Sequence, residues 1–255
     1  MSDERQAPIG WPFLPRFLLL QARVPGDPMA AHEHRCFAAS LGVPVTALAC
    51  HSLLDGPPSE ALIDETDLIL IGGSGDFSVC GDEPFLRGFF DFLSDVCVAR
   101  DIPTFGSCFG FQGLVVAGGG TVIRDPERTE VGTFEVFLTE VGRKDPLLGA
   151  LSPSFKAQLG HTDRAVELPA GVQGLAYSER VSQQAFRIPG RRIFATQFHP
   201  ELNRSTNEDR YRRYRERYGG ATNEAEDPVL QSLADSPGAT ALLERWVREV
   251  IADGA

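Results

Sequence analysis

The feature that most restricts the fold of this chain is a regular alternation of short apolar runs with helix-patterned stretches. That order is the mark of an α/β sheet with helices on both faces. Residues 17–20 (Phe-Leu-Leu-Leu) read as a short buried strand. Asp27-Pro28 then supplies an N-cap followed by proline at the first helical position, opening a helix to about Leu41. Gly42 stops it, and residues 43–48 read as the next strand. The apolar run Leu68–Ile71 ends abruptly in Gly72-Gly73, a strand entering a tight loop. Residues 82–98 place Phe85, Phe89, Phe92, Leu93 and Val96 at helical spacing. Thr104-Phe105 leads a short strand into Gly106-Ser107-Cys108, and a helix over Phe109–Ala117 is terminated by Gly118-Gly119-Gly120.

Beyond Thr121 the character changes. Residues 131–139, 155–159, Gly174–Tyr177, 184–188 and 192–198 read as strands with short Gly- or Pro-bearing connections. The expected architecture is therefore an open, mostly parallel sheet flanked by helices, with an appended antiparallel strand region. A polar stretch (203–227) precedes an amphipathic helix over 238–251. With no internal repeat, the chain reads as one domain over 1–255, its core at about 17–202 and a helical extension at about 205–255.

Composition narrows the class. With 42% hydrophobic and 23% charged residues the chain resembles an ordinary soluble globular protein. The longest apolar run, 17–20, is too short to cross a bilayer. The N-terminus, with Arg5 and Arg16 around Pro-rich sequence, lacks the apolar core of a signal peptide. Five cysteines without paired spacing argue against a disulfide framework and for a reducing compartment, so the cytoplasm is expected. A net charge of −11 disfavours nucleic-acid binding. One stretch runs against that charge: Arg210, Arg212, Arg213, Arg215 and Arg217, interleaved with Tyr211, Tyr214 and Tyr218. The tyrosine spacing predicts a helix that packs its tyrosines and solvates its arginines, or one that offers them to an acidic partner.

Two motifs carry chemistry. Gly106-Ser107-Cys108-Phe109-Gly110 has the form G-x-C-x-G between a strand and a helix, the nucleophile-elbow arrangement with cysteine as nucleophile. The sharp turn demands small neighbours, and the helix N-terminus is expected to lower the thiol pKa. The Phe109 amide is placed to donate to an oxyanion. A thiol nucleophile needs a base, and the base an orienting acceptor. Gln197-Phe198-His199-Pro200-Glu201 ends a strand, and Pro200 favours an extended chain that brings His199 and Glu201 to one side.

Together these residues resemble the class I (triad) glutamine amidotransferases, whose motifs read G-x-C-x-G-x-Q and Q-F-H-P-E. Here they stand as Gly106 to Gln112 and Gln197 to Glu201. His161-Thr162-Asp163, followed by Leu168-Pro169 and Leu175-Ala176, is similar to the family's S-H-x-D…L-P…L-A segment. Ile71-Gly72-Gly73-Ser74 stands where the family often has G-G-P, with Ser74 replacing the proline and Gly160 replacing the serine before the histidine. The resemblance implies a flavodoxin-like fold and hydrolysis of a glutamine or γ-glutamyl amide through a thioester on Cys108, with His199 and Glu201 completing the triad. It implies an oxyanion hole of Gly73 and Phe109. It also implies that Gln112 binds the α-carboxylate or α-amino end of the substrate, and that backbone around Gly160 and Thr162 completes the pocket.

Three readings follow: a glutaminase passing ammonia to a separately encoded synthetase, a free-standing γ-glutamyl hydrolase, or a non-enzymatic module that keeps the fold. No cofactor or metal is expected. Gly72-Gly73-Ser74-Gly75 lacks the lysine of a phosphate loop. His32 and His34, two apart on a helix, point about 200° apart and share no ion easily. Cys36, Cys50, Cys80 and Cys97 read as core or surface thiols.

Overall fold

The computed structural model describes residue 8 and residues 11–220 and 226–253. The N-terminal reading around Arg5 lies outside them. Among the described residues the strands are β1 (Phe17–Gln21), β2 (Leu48–Ser52), β3 (Leu68–Ile71), β4 (Thr104–Ser107), β5 (Thr121–Arg124), β6 (Glu130–Leu138), β7 (Ser154–His161), β8 (Asp163–Glu167), β9 (Gly174–Tyr177), β10 (Ala185–Arg187) and β11 (Ile193–Thr196). Nine join one sheet in the order β2-β1-β3-β4-β11-β10-β9-β6-β7, and β5 pairs with β8 apart from it. The first five run parallel. From β11 onward the pairings are antiparallel. The appended antiparallel region is thus a continuation of the parallel sheet.

The helices are α1 (Pro28–Leu41), α2 (Glu60–Asp64), α3 (Phe85–Phe92), α4 (Phe109–Ala117), α5 (Arg204–Tyr214), α6 (Pro228–Ser232), α7 (Pro237–Thr240) and α8 (Leu242–Asp253). Asp27 caps α1 by accepting the Met29 amide, and Gly42 closes it at φ 70°. Alternate residues of β1 feed different cores. Phe17 and Leu19 pack with α1 and α8, whereas Leu18 and Leu20 pack with α3 and α4. Trp246 of α8 meets Phe105 of β4 edge-on at 5.4 Å. Burying each large apolar side chain in these layers stabilises the fold by about 1.5–3 kcal/mol.

Some boundaries differ from expectation. The strand read at 43–48 is a short helical turn at Val45–Ala47 followed by β2. The helix read from 82 begins at Phe85 and loosens into a π turn over Leu93–Val98. The polar stretch after Asn203 contains α5, whose Asn203 and Thr206 form a reciprocal capping box.

Parallel pairing brings functionally rich loops to one sheet edge. Ile71 pairs with Gly106 and Thr196 with Ser107, so the segments leaving β3, β4 and β11 emerge side by side at their carboxyl ends. Among the described residues no helix is long and apolar enough to cross a membrane.

Candidate active site

Cys108 stands between β4 and α4 at φ 51°, ψ −95°, a left-handed conformation rare for a side chain with a Cβ. Backbone bonds hold it there. Its amide donates to Thr196 O at 2.8 Å, and the Gly110 amide donates to Gly72 O at 3.2 Å. A Cβ on Gly110 would sit 2.7 Å from Ile71 Cβ, and one on Gly106 would sit 2.7 Å from the Gly110 carbonyl carbon. The glycines of G-x-C-x-G therefore let α4 seat directly on the strand ends. Phe109, stacked on Phe89 at 5.4 Å, begins α4 with an amide that has no intrahelical acceptor.

His199 and Glu201 are buried beside it. His199 Nδ1 lies 2.7 Å from Glu201 Oε1, so the imidazole donates through Nδ1 to the carboxylate. The other carboxylate oxygen, Oε2, accepts from Ser107 Oγ at 2.9 Å. Arg210 Nη1 donates to Glu201 Oε1 at 3.3 Å and lies 3.1 Å from His199 Nδ1. Burial works to raise the Glu201 carboxyl, but the His199 ring, its hydrogen bond and Arg210 overcome it and hold the group at about 2. Burial pulls the His199 imidazole below its usual value. It pushes the Cys108 thiol up to about 12, with Glu201 adding to the rise and Arg210 opposing it. The lowering of the thiol pKa expected from the helix N-terminus is outweighed by burial. Desolvation is the largest influence on both groups, raising the Cys108 thiol and lowering the His199 imidazole.

Cys108 lies on a cleft of about 180 Å³ lined also by Phe109, Gln112, Gly160, Thr162 and Asp163. Gln197 Nε2 donates towards Sγ at 3.6 Å and Gln197 Oε1 accepts from Gln112 Nε2 at 3.1 Å. Gln112 Nε2 also donates to Asp163 O at 2.9 Å. Both amide hydrogens of Gln112 are thus engaged, which removes it as a donor to an α-carboxylate and leaves Oε1 as what it can offer. The Gly160 carbonyl accepts from Tyr218 Oη at 3.2 Å, and Thr162 Oγ1 accepts from Thr129 at 3.3 Å. His161 is fixed through both ring nitrogens, on Glu130 Oε2 at 3.1 Å and Asp163 O at 3.0 Å.

Gly73, expected as the second oxyanion donor, lies in the loop after β3. It is close to the pair, since a Cβ there would sit 2.8 Å from His199 Cε1 and 3.7 Å from Cys108 Cβ. Its amide, however, donates to Glu33 Oε1 at 3.0 Å and is not free for an oxyanion. Glu33, Ser107 and Arg210 carry no motif signature in the sequence. The spacing of its run puts Arg210 in solvent with its neighbours, yet it turns inward while Tyr211 and Tyr214 pack as predicted.

Among the described residues no cluster of three or more His, Cys, Asp or Glu could hold a metal. His34 Nε2 reaches Leu48 O at 2.8 Å, whereas His32 faces Cys36 and lies 3.9 Å from Asp209.

A model of the family described as glutamine amidotransferase class-I matches residues 35–214. One subunit of the glutamine-hydrolysing GMP synthase from Sulfolobus acidocaldarius is 33% identical over 140 residues, 55% of this chain and 70% of that one. The GMP synthase of Thermosipho africanus is 33% identical over 115 residues, 45% of this chain but 21% of that longer protein. A solved glutamine amidotransferase from Thermotoga maritima shares the fold, with a TM-score of 0.70 at 20% identity over 94% of this chain and 99% of that one.

Proposed function

This chain belongs to the class-I glutamine amidotransferase family, and we propose that it hydrolyses the side-chain amide of glutamine through a thioester on Cys108. The observation that carries the proposal is the 2.7 Å contact of His199 Nδ1 with Glu201, in a buried pair beside a cysteine that opens onto a glutamine-sized cleft. With Nδ1 engaged, Nε2 is left for proton exchange. His199 takes the thiol proton as Sγ attacks the amide carbon, and the Phe109 amide donates to the oxyanion. The same imidazole returns the proton to the departing nitrogen, releasing ammonia. It then deprotonates water, which attacks the thioester, frees glutamate and restores the thiol. Glu201 fixes the ring's tautomer throughout.

Gln112 Oε1 and the backbone around Gly160 and Thr162 recognise the α-amino end of the substrate in this reading. Gly73 supplies a second oxyanion donor only once its amide leaves Glu33. Removing one such donor typically costs about 10²–10³ in kcat. Low turnover by the isolated chain follows, and so does a gain when a partner reshapes that loop.

The partner is a separately encoded synthetase that consumes the ammonia, a reading supported by likeness to a protein named as one subunit of a glutamine-hydrolysing synthase. One domain carries the activity, and the five unpaired cysteines suit a reducing cytoplasm. Incubating the purified chain with glutamine and with a panel of γ-glutamyl dipeptides, and following ammonia and free amine, tests the substrate. Release from dipeptides with none from glutamine would overturn the amidotransferase assignment in favour of a γ-glutamyl hydrolase.

A further inference from the structure

Arg210 is the one arginine of its run that turns into the interior beside His199. Its side chain is 9% exposed, whereas Arg213 and Arg217 are half-exposed. Through Nη1 it reaches Glu201 Oε1 at 3.3 Å, and through Nη2 it lies 3.7 Å from Glu33 Oε1. Glu33 Oε1 is the atom that accepts the Gly73 amide. A single guanidinium therefore lies between two fully buried carboxylates, hydrogen-bonded to the one that holds the imidazole and within ion-pair distance of the one that holds the loop after β3.

We propose that Arg210 is a positioning residue that fixes Glu201 against His199 and ties that pair to the Gly73 loop. This rests on the Cys108–His199–Glu201 reading above. A planar fork with separate nitrogens can serve both carboxylates at once, which a single ammonium on a shorter reach cannot. Glu201 is also held by Ser107 from its other oxygen, so Arg210 adds a second hold on Oε1, the oxygen that accepts from His199.

The charge has a second consequence. Around Arg210 stand His32, Glu33 and Cys36 of α1, Arg23 after β1, and Tyr214 on its own helix. Asp163 at the start of β8 and Tyr218 face Cys108. Arg210 acts against protonation at both Cys108 and His199. Its removal leaves Glu201 and Glu33 less compensated and favours the proton at both sites. The whole pH profile then moves to higher pH, whichever of the two groups governs each limb.

The test compares the full chain with Arg210→Met and Arg210→Lys. One arm follows alkylation of Cys108 by iodoacetamide against pH, read on the peptide that bears it so that exposed Cys50 and Cys80 do not interfere. The other measures kcat and KM for glutamine against pH. At a fixed pH below the midpoint, Arg210→Met is expected to slow alkylation of Cys108 about tenfold and lower kcat about 10- to 100-fold with KM within about twofold. Arg210→Lys is expected to keep the alkylation rate near wild type while recovering only part of kcat.

An unchanged alkylation rate in a folded Arg210→Met protein, or equal losses in both variants, would overturn the proposal. Should the Met variant fail to fold, Arg210→Lys decides alone, and wild-type kcat in it would overturn the positioning role. Because alkylation needs no turnover, this arm stands apart from the function itself. Turnover that survives Cys108→Ala would sink the underlying triad reading instead.

Discussion

Glu33 accepts the backbone N–H of Gly73 at 3.0 Å, from a helix distant in sequence and with no exposed side-chain surface. The same carboxylate receives Arg23 Nη2 at 2.8 Å and Gln21 Nε2 at 3.0 Å. Truncating it strands several buried donors at once. Glu33→Ala is expected to lose about 3–5 kcal/mol in urea unfolding. A loss below about 1 kcal/mol would mean that the cluster is not a stabilising ion pair.

Gly110→Ala tests the contact between α4 and the strand ends. The new methyl would meet Ile71 Cβ at 2.7 Å, and both partners are main-chain-anchored. Overpacking of this kind costs about 1–3 kcal/mol, and relief by moving α4 would displace Cys108. Stability to urea and glutamine turnover should fall together. Turnover at the wild-type rate would show that the elbow tolerates the shift.

Ser107→Ala removes the 2.9 Å hydrogen bond to Glu201 Oε2 without touching Cys108 directly. A buried bond to a charged acceptor contributes about 1.5–3 kcal/mol. If part of that acts through the orientation of His199, kcat drops by about tenfold with KM unchanged. A rise in KM at constant kcat would place Ser107 in substrate binding.

Glu201 makes stability depend on pH in a defined direction. Its folded carboxyl is held at about 2 against an ordinary value of 4.5. The contribution is complete above the ordinary value and is lost as pH falls from there towards the folded one. The stability gap between wild type and Glu201→Gln, measured by urea unfolding, should therefore shrink as pH drops from about 6 to about 3. A gap that widens on acidification would contradict the assignment of Glu201 as an ionised acceptor.

How much of this is legible in the sequence depends on where each contact originates. The elbow is readable because Gly106, Cys108 and Gly110 encode a local turn whose steric demand lies within five residues. His199 and Glu201 are readable from their local motif, although a turn closed by the Leu202 amide on His199 O at 3.2 Å, and not the extended chain expected of Pro200, brings them together. Arg210 is not, since its neighbours in the same run stay in solvent and only the docking of α5 decides which arginine turns inward. Glu33 looks like an ordinary helix residue, and its partners on β1 and after β3 come together only in the sheet. The strand at 43–48 is misplaced because β2 starts only at Leu48 and runs along the sheet edge, where Ala49 and Cys50 are exposed. Pro44 instead starts a helical turn. The pairing of β5 with β8 has no signal of its own, with half-exposed residues on both strands.

The central claim is that glutamine is opened by covalent attack of Cys108. The most direct measurement is rapid acid quenching of the chain with glutamine, followed by the mass of the Cys108 peptide. Covalent attack predicts a glutamyl thioester on that peptide during turnover, formed in wild type and absent in Cys108→Ala, which should also release no ammonia. Ammonia release at the wild-type rate from Cys108→Ala, with no adduct on the wild-type peptide, would contradict it.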